Sequence, residues 1–285
     1  MKANKANILS EWELTPQQPQ SLHRYVKALE SNIDHEISKI CSFVRKKVRD
    51  AHAKGVVLGI SGGIDSAVTA ALCKTALGAK RVTGVLMFEE DPSNSIDRAD
   101  AISLVKMLGI NTIEMNLTPV IRAISDSLTS SGLKISRLTL ANIKARTRMV
   151  SLYAIANQRN LLVAGTGDRS EILVGYFTKY GDGGVDFLPI GHLLKTEVRT
   201  LGSNFRLPYQ IVTKPSSPNL WPGQKASEEL PADYDMLDRV ITLLYDKHAS
   251  KSQIQKMTGA SASLLNDVEK LHEKSFHKRM PPPVP

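Results

Sequence analysis

The stretch "VVLGISGGIDSAV", Val56 to Val68, constrains this chain more than any other. A strand-like apolar run enters a glycine-rich turn, and helical apolar spacing follows, with Val68, Leu72 and Ala76 on one face. Glycines let the main chain approach a charged oxygen closely, successive N–H groups converge on it, and the helix N-terminus adds roughly half a positive charge. The residues Gly59, Ile60, Ser61, Gly62, Gly63, Ile64, Asp65 and Ser66 therefore suit a phosphate, with Ser61 and Ser66 as added hydroxyl donors. No lysine follows the glycines as G-x-x-x-x-G-K-[ST] requires, and G-x-G-x-x-G is absent too. Asp65 stands in the turn instead, where it repels an anion unless a divalent cation lies between them. A magnesium-linked polyphosphate resolves that conflict. The plainer alternative is a turn in which Asp65 and Ser66 only stabilise the helix start.

The rest of the chain alternates. Residues 21–52 place Leu22, Val26, Leu29, Ile33, Ile37, Ile40, Val44 and Val48 at helical spacing. After the first strand, Val56 to Ile60, further strands are predicted at Val82 to Met87, Thr112 to Met115 and Leu161 to Ala164. Between them fall a helix ended by Gly109, a helix opened by Thr118 as N-cap and Pro119 as N1, and a long helix from Thr139 to Gln158. This order over residues 55–190 predicts an α/β fold with a doubly wound, mostly parallel sheet flanked by helices, and ligands at the carboxyl ends of the strands. Residues 214–227 form a polar, proline-punctuated loop, followed by helical patterns at 233–248, 250–257 and 261–275. A single domain over 21–280 is expected, between an unassigned extension at 1–20 and a proline-rich tail at 281–285.

Composition narrows the class. With 285 residues, 42% of them hydrophobic, the chain can bury one large core, or a core plus a small appendage. The start lacks the apolar core of a signal peptide and no segment approaches 18 consecutive apolar residues, so a soluble, cytoplasmic protein without membrane contact is expected. Cys41 and Cys73 lack C-x-x-C spacing, which suggests neither zinc nor a disulfide framework. The formal charge of +9 fits nucleic acid or several phosphates on small molecules equally well.

"SGGIDS" resembles the pyrophosphate loop of the N-type ATP pyrophosphatases, which grips the β and γ phosphates as a leaving group while the bond at the α phosphorus breaks. Within that superfamily, "GTGDRSEILVGYFTKYGDGGVDFLPI", Gly165 to Ile190, closely resembles the signature of ammonia-dependent NAD synthetases. "NIKARTRM" (142–149), "LLKTEVRTL" (193–201), "LWPGQ" (220–224) and "HKR" (277–279) match in the same order. The resemblance implies a Rossmann-like fold of the adenine nucleotide alpha hydrolase type and a homodimer. It also implies ATP-dependent amidation of deamido-NAD with ammonia to NAD, AMP and pyrophosphate through an adenylated intermediate.

It further implies roles. Asp65 and Glu171 would hold Mg2+; Lys195, after the strand-like "FLPI", would contact the ATP phosphates, joined by Thr166 and Ser217. Arg146, Lys179, Asp186, His277 and Lys278 would bind deamido-NAD, whose pyrophosphate and carboxylate suit cations. Without the motif, Glu171 reads equally as a helix-start acid and Arg146 as an exposed helical arginine. Asp182 and Asp186, among Gly181, Gly183 and Gly184, are turn formers, or one of them orients ribose or helps deprotonate ammonium; Asp182 is taken as the catalytic candidate beside Asp65 and Lys195. His277-Lys278 must reach back from afar, which an intersubunit contact would explain. The family usually has threonine and acids after "WPGQ", where this chain reads Lys225-Ala226-Ser227, and a loop threonine where it has Ser217, with Ser216 as the alternative hydroxyl. No glutamine-hydrolysing domain fits beside residues 55–280, so free ammonia is the expected donor unless a separate glutaminase feeds the protein. An RNA-modifying enzyme should carry catalytic cysteines or an RNA-binding domain, and a DNA-binding reading of residues 252–275 rests on an ordinary helix pair; neither is favoured.

Overall fold

The computed structural model describes residues 32–90 and 95–285. Leu22, Val26 and Leu29 of the predicted amphipathic stripe, and the 1–20 extension, lie outside these residues. The remaining stripe forms α1 (Ile33–Asp50), which buries Ile40, Cys41, Val44 and Val48. Then come β1 (Gly55–Gly59), α2 (Ile64–Leu77), β2 (Val82–Phe88), α3 (Ser95–Leu108), β3 (Asn111–Asn116), α4 (Thr118–Ser130), α5 (Arg137–Arg159) and β4 (Leu161–Val163). The strands pair in parallel in the order β3-β2-β1-β4.

The pleat assigns side chains to the two faces. Val56, Leu58, Val82 and Leu86 pack with α1, α2 and α3, whereas Val57, Val85 and Val163 pack with Leu152 and Ala156 of α5. Helices therefore cover both faces, the doubly wound arrangement. The helix α2 departs from its expected single apolar face and is buried on nearly every side. Its small residues Ala67, Ala70 and Ala71 allow close approach all round.

Two predicted details are corrected. Leu117, not Thr118, is the N-cap of α4, and Pro119 falls one position later than expected. Asn116 Oδ1 accepts the Thr118 N–H at 3.0 Å while Thr118 Oγ1 accepts the Glu90 N–H at 2.8 Å, so that hydroxyl is drawn away from the helix. "FLPI" forms no strand; Phe187 makes one isolated parallel bridge with Ala164, just past β4.

The remaining α-helices are α6 (Arg169–Val174), α7 (Lys195–Asn204), α8 (Tyr209–Thr213), α9 (Ala226–Glu229), α10 (Tyr234–Ile241), α11 (Lys251–Thr258), α12 (Ala262–Lys274) and α13 (Phe276–Arg279). Ser250 and Ser261 cap α11 and α12, each accepting a backbone N–H three residues on. Leu237, Ile241, Ile254, Leu265 and Val268 gather into a second core that also takes Val174 and Leu194. Among the described residues no helix is long and apolar enough to cross a membrane.

Asp238 of α10 joins the two cores. It is buried, accepts the Thr196 N–H and hydroxyl at 2.9 Å each, and receives the Ser170 hydroxyl. One carboxylate thus fixes the starts of both α6 and α7. Burial pushes its carboxyl up to about 7.

Two outcomes are expected. Leu72 is fully buried in the first core, so Leu72→Ala should cost about 2–5 kcal/mol, read as a lower urea midpoint at unchanged slope. Asp238 releases its proton near the ordinary carboxylate range, about 4, in the unfolded chain, but at about 7 in the native one. Its contribution is therefore fully present below about pH 4 and is lost as pH rises towards 7, by at most roughly 1.4 kcal/mol per unit. Asp238→Asn should flatten that fall when urea unfolding is repeated across this range.

Candidate active site

The glycine turn lies at the carboxyl end of β1, where an open α/β sheet binds its ligands. Gly62 has φ +80, and a Cβ there would stand 2.4 Å from the Asp97 carbonyl oxygen, so only glycine fits. The two serines close the turn on itself. The Ser66 hydroxyl is buried and donates to the Gly63 carbonyl at 3.0 Å, and Ser61 Oγ accepts the Gly63 N–H at 3.2 Å. In this arrangement the Ser66 hydroxyl serves the backbone of the turn itself.

A cleft of about 960 Å³ opens above the turn, at the upper end for small-molecule sites. Its lining brings together most of the predicted residues: Gly59, Ile60, Ser61, Gly63, Ile64, Asp65, Ser66, Thr166, Glu171 and Ser217 at the turn, and Arg146, Lys179, Asp182, His277 and Lys278 farther along. Gly62, Asp186 and Lys195 do not line it.

Lys195 is wholly buried at the first position of α7, behind the acidic wall. Its Nζ lies 2.6 Å from Asp65 Oδ2 and 2.9 Å from both Asp168 Oδ2 and Glu171 Oε1, and 5.0 Å from the centre of the Tyr234 ring. Burial alone would discharge the ammonium; the three carboxylates, Asp168 foremost, hold its pKa well above the ordinary lysine value. Burial likewise raises Asp168 and Glu171, with Lys195 pulling the other way.

Asp168 was missed by the sequence reading. It is the N-cap of α6: its Oδ1 accepts the Glu171 N–H at 2.9 Å, and Glu171 reaches back to the Asp168 N–H, a capping box. The signal was present in "DRSE", an acid three residues before a glutamate at the head of an apolar run. Asp65, Asp168 and Glu171 each place an oxygen within 4.8 Å of the others, and Asp65 Oδ1 is buried without a hydrogen-bond partner. An oxygen-only, acidic donor set of this kind fits a hard divalent cation.

The far end of the cleft is basic. Arg146 Nη2 donates to the Lys179 carbonyl at 3.4 Å, Lys179 Nζ to the His277 carbonyl at 2.6 Å, and Lys278 Nζ to the carbonyls of Gly175 and Phe177 at 2.8 Å each. His277 and Lys278 therefore reach back within their own chain, and no second subunit is needed to bring them to the cleft. Burial lowers the Lys278 pKa. Asp182 is exposed on the cleft wall, where its Oδ1 accepts the Thr178 N–H at 2.8 Å. Asp186 turns away: it accepts the Val163 N–H at 2.7 Å and the Tyr153 hydroxyl at 3.1 Å, closing the edge of β4.

The two candidate hydroxyls of the loop over the cleft have different surroundings. Ser217 Oγ lies 2.6 Å from the Gln224 carbonyl and accepts the Asn219 N–H at 3.1 Å, so it serves the loop, whereas Ser216 Oγ is buried and unpartnered. Lys214 ties this loop to α3 through Asp97, at 2.6 Å, and Asp100. Glu89, just past β2, is held by Lys144 at 2.7 Å and Arg148 at 2.9 Å. None of these ties carries a motif that a sequence reading could use.

Comparison with known proteins adds the lineage. The chain is 44% identical to the NH(3)-dependent NAD(+) synthetase of Staphylothermus marinus over 246 residues, covering 86% of this chain and 89% of that protein. Among solved structures it resembles the NMN synthetase of Francisella tularensis, with TM-score 0.78 and 32% identity over 88% of this chain and 98% of that one. It also resembles the NH3-dependent NAD synthetase of Campylobacter jejuni, with TM-score 0.73 and 29% identity over the same shares. The family model described as NAD synthase matches residues 36–282, and the chain belongs to that family.

Proposed function

We propose that the chain catalyses ATP-dependent amidation of deamido-NAD by ammonia, giving NAD, AMP and pyrophosphate. One observation carries the reading: a glycine turn at a strand end stands beside a carboxylate wall, Asp65 and Glu171, and faces a basic wall in the same cleft. Two anionic substrates, one of them bridged by a cation, match that division.

In this reading the turn from Gly59 to Ser66 cradles the β and γ phosphates with backbone N–H groups, and Thr166 and Ser216 or Ser217 flank the nucleotide. Asp65 and Glu171 hold Mg2+, which when bound would offset the charge of the departing pyrophosphate. Arg146, Lys179, His277 and Lys278 seat the dinucleotide so that its nicotinate carboxylate lies in line with the α phosphorus. A carboxylate oxygen attacks phosphorus, the bond to the bridging oxygen breaks, and pyrophosphate leaves. Ammonia then adds to the acyl carbon of the adenylate, AMP leaves with the electron pair, and a proton passes to base. Asp182 either takes that proton or orients a ribose. Asp186, committed to β4, supports the loop around it. Residues 21–280 would act as one catalytic unit, as a homodimer, with ammonia taken from solution or from a separate glutaminase.

The test is product analysis by chromatography with Mg-ATP and carboxyl-18O deamido-NAD, with and without ammonium. Ammonium-dependent NAD, equal AMP and pyrophosphate, and one 18O in AMP are expected; Asp65→Asn should lower kcat at least about a hundredfold. ADP and phosphate as products would overturn the chemistry. Preferred turnover of nicotinate mononucleotide, run in parallel, would overturn the dinucleotide assignment.

A further inference from the structure

The position of Lys195 conflicts with a simple phosphate contact. Its Nζ is fully buried and off the cleft wall. An ammonium carries three N–H donors, and oxygens of Asp65, Asp168 and Glu171 stand at 2.6, 2.9 and 2.9 Å. Two of those donors are bonded to Asp65 and Glu171, and the ammonium is enclosed against Asp168 rather than open to a phosphate. One oxygen from each of the three carboxylates falls within 4.8 Å of the others, close enough to share one cation, and the ammonium pairs with all three acids. A divalent ion on Asp65 and Glu171 would draw on the same oxygens. With all groups ionised, the cluster of three carboxylates and one ammonium carries a formal charge of −2, the complement of one divalent ion. The carboxylates are not equivalent, because Asp65 and Glu171 face the cleft at 21% and 20% exposure while Asp168 is wholly enclosed.

We propose that Lys195 is a resident counter-cation: in the nucleotide-free protein its ammonium occupies the cation position of the acidic cluster, retained by Asp168. It cedes Asp65 and Glu171 to an arriving divalent ion. That exchange releases N–H donors of Lys195 towards the nucleotide, so metal arrival and phosphate binding are coupled through one side chain. The inference rests on Asp65 and Glu171 as metal ligands. It makes Asp168 a positioning residue beyond its capping role, and the two roles separate cleanly. Asparagine caps a helix as well as aspartate does, so Asp168→Asn removes the charge and keeps the cap.

The experiment measures Mn2+ binding to the full, nucleotide-free chain by the electron paramagnetic resonance signal of free Mn2+. Lys195→Met should bind Mn2+ at least about tenfold more tightly than the unaltered protein, because a competing cation is gone. Asp168→Asn should bind at least about tenfold more weakly, and Mn2+ should raise the Tm of Lys195→Met more than that of the unaltered protein. If Lys195→Met folds only with metal present, the double variant Lys195→Met/Asp168→Asn replaces it and should bind more tightly than Asp168→Asn alone. Unchanged or weaker binding in Lys195→Met, or unchanged binding in Asp168→Asn, overturns the inference. If Asp65→Asn still abolishes binding, the metal assignment survives that failure; if Asp65→Asn leaves Mn2+ binding intact, the metal assignment fails and this inference with it.

Discussion

The buried ammonium of Lys195 is the constraint around which the structure is arranged. An enclosed ion is costly unless it is paired and hydrogen-bonded, and the three acids that pair it come from two separate helix starts. Asp65 lies in the first turn of α2, Asp168 and Glu171 in the cap of α6, and Lys195 opens α7. Ser170 accepts the Lys195 backbone N–H at 3.1 Å, and Asp238 fixes Ser170 and Thr196 from α10. The sheet core and the helical core thus meet at one electrostatic joint. Shifting any of these helices by one residue would strand a charge.

From that joint the cleft divides by sign. Near the glycine turn the carboxylates of Asp65 and Glu171 line the cleft; at the far end Arg146, Lys179 and Lys278 face it directly. Even there the cations are braced on main-chain carbonyls, as Lys278 is on Gly175 and Phe177. Gly175 makes this approach possible, since it has φ +70 and a Cβ there would meet Ser275 at 2.0 Å.

Local patterns made much of this legible. The strand, glycine turn and helix around Gly59 to Ser66 depend on residues close in sequence, and the alternation of strands with helices pointed to the parallel sheet. Family resemblance added Glu171 and Lys195 to Asp65, and the three lie together. What escaped depends on distant partners. Asp186 entered by family resemblance, and nothing local shows that Val163, 23 residues earlier, donates to its carboxylate. Ser217 and Ser216 look alike in sequence, and only the turn that closes on the Gln224 carbonyl separates them. The reading of Thr118 as an N-cap failed because its hydroxyl serves Glu90, 28 residues away. Asp168 was readable as a capping acid, but its contact with Lys195 was not.

The contacts of Lys278 have a temporal meaning as well. Its partners Gly175 and Phe177 precede it by 103 and 101 residues, and a chain leaves the ribosome from its N-terminus. The glycine turn, the acidic cluster and Lys195 all lie within the first 195 residues, so the chain that builds them emerges first. The basic wall is completed only by α13, which follows all of these in the chain. A nascent chain therefore carries the parts of its nucleotide half before it can grip the second substrate.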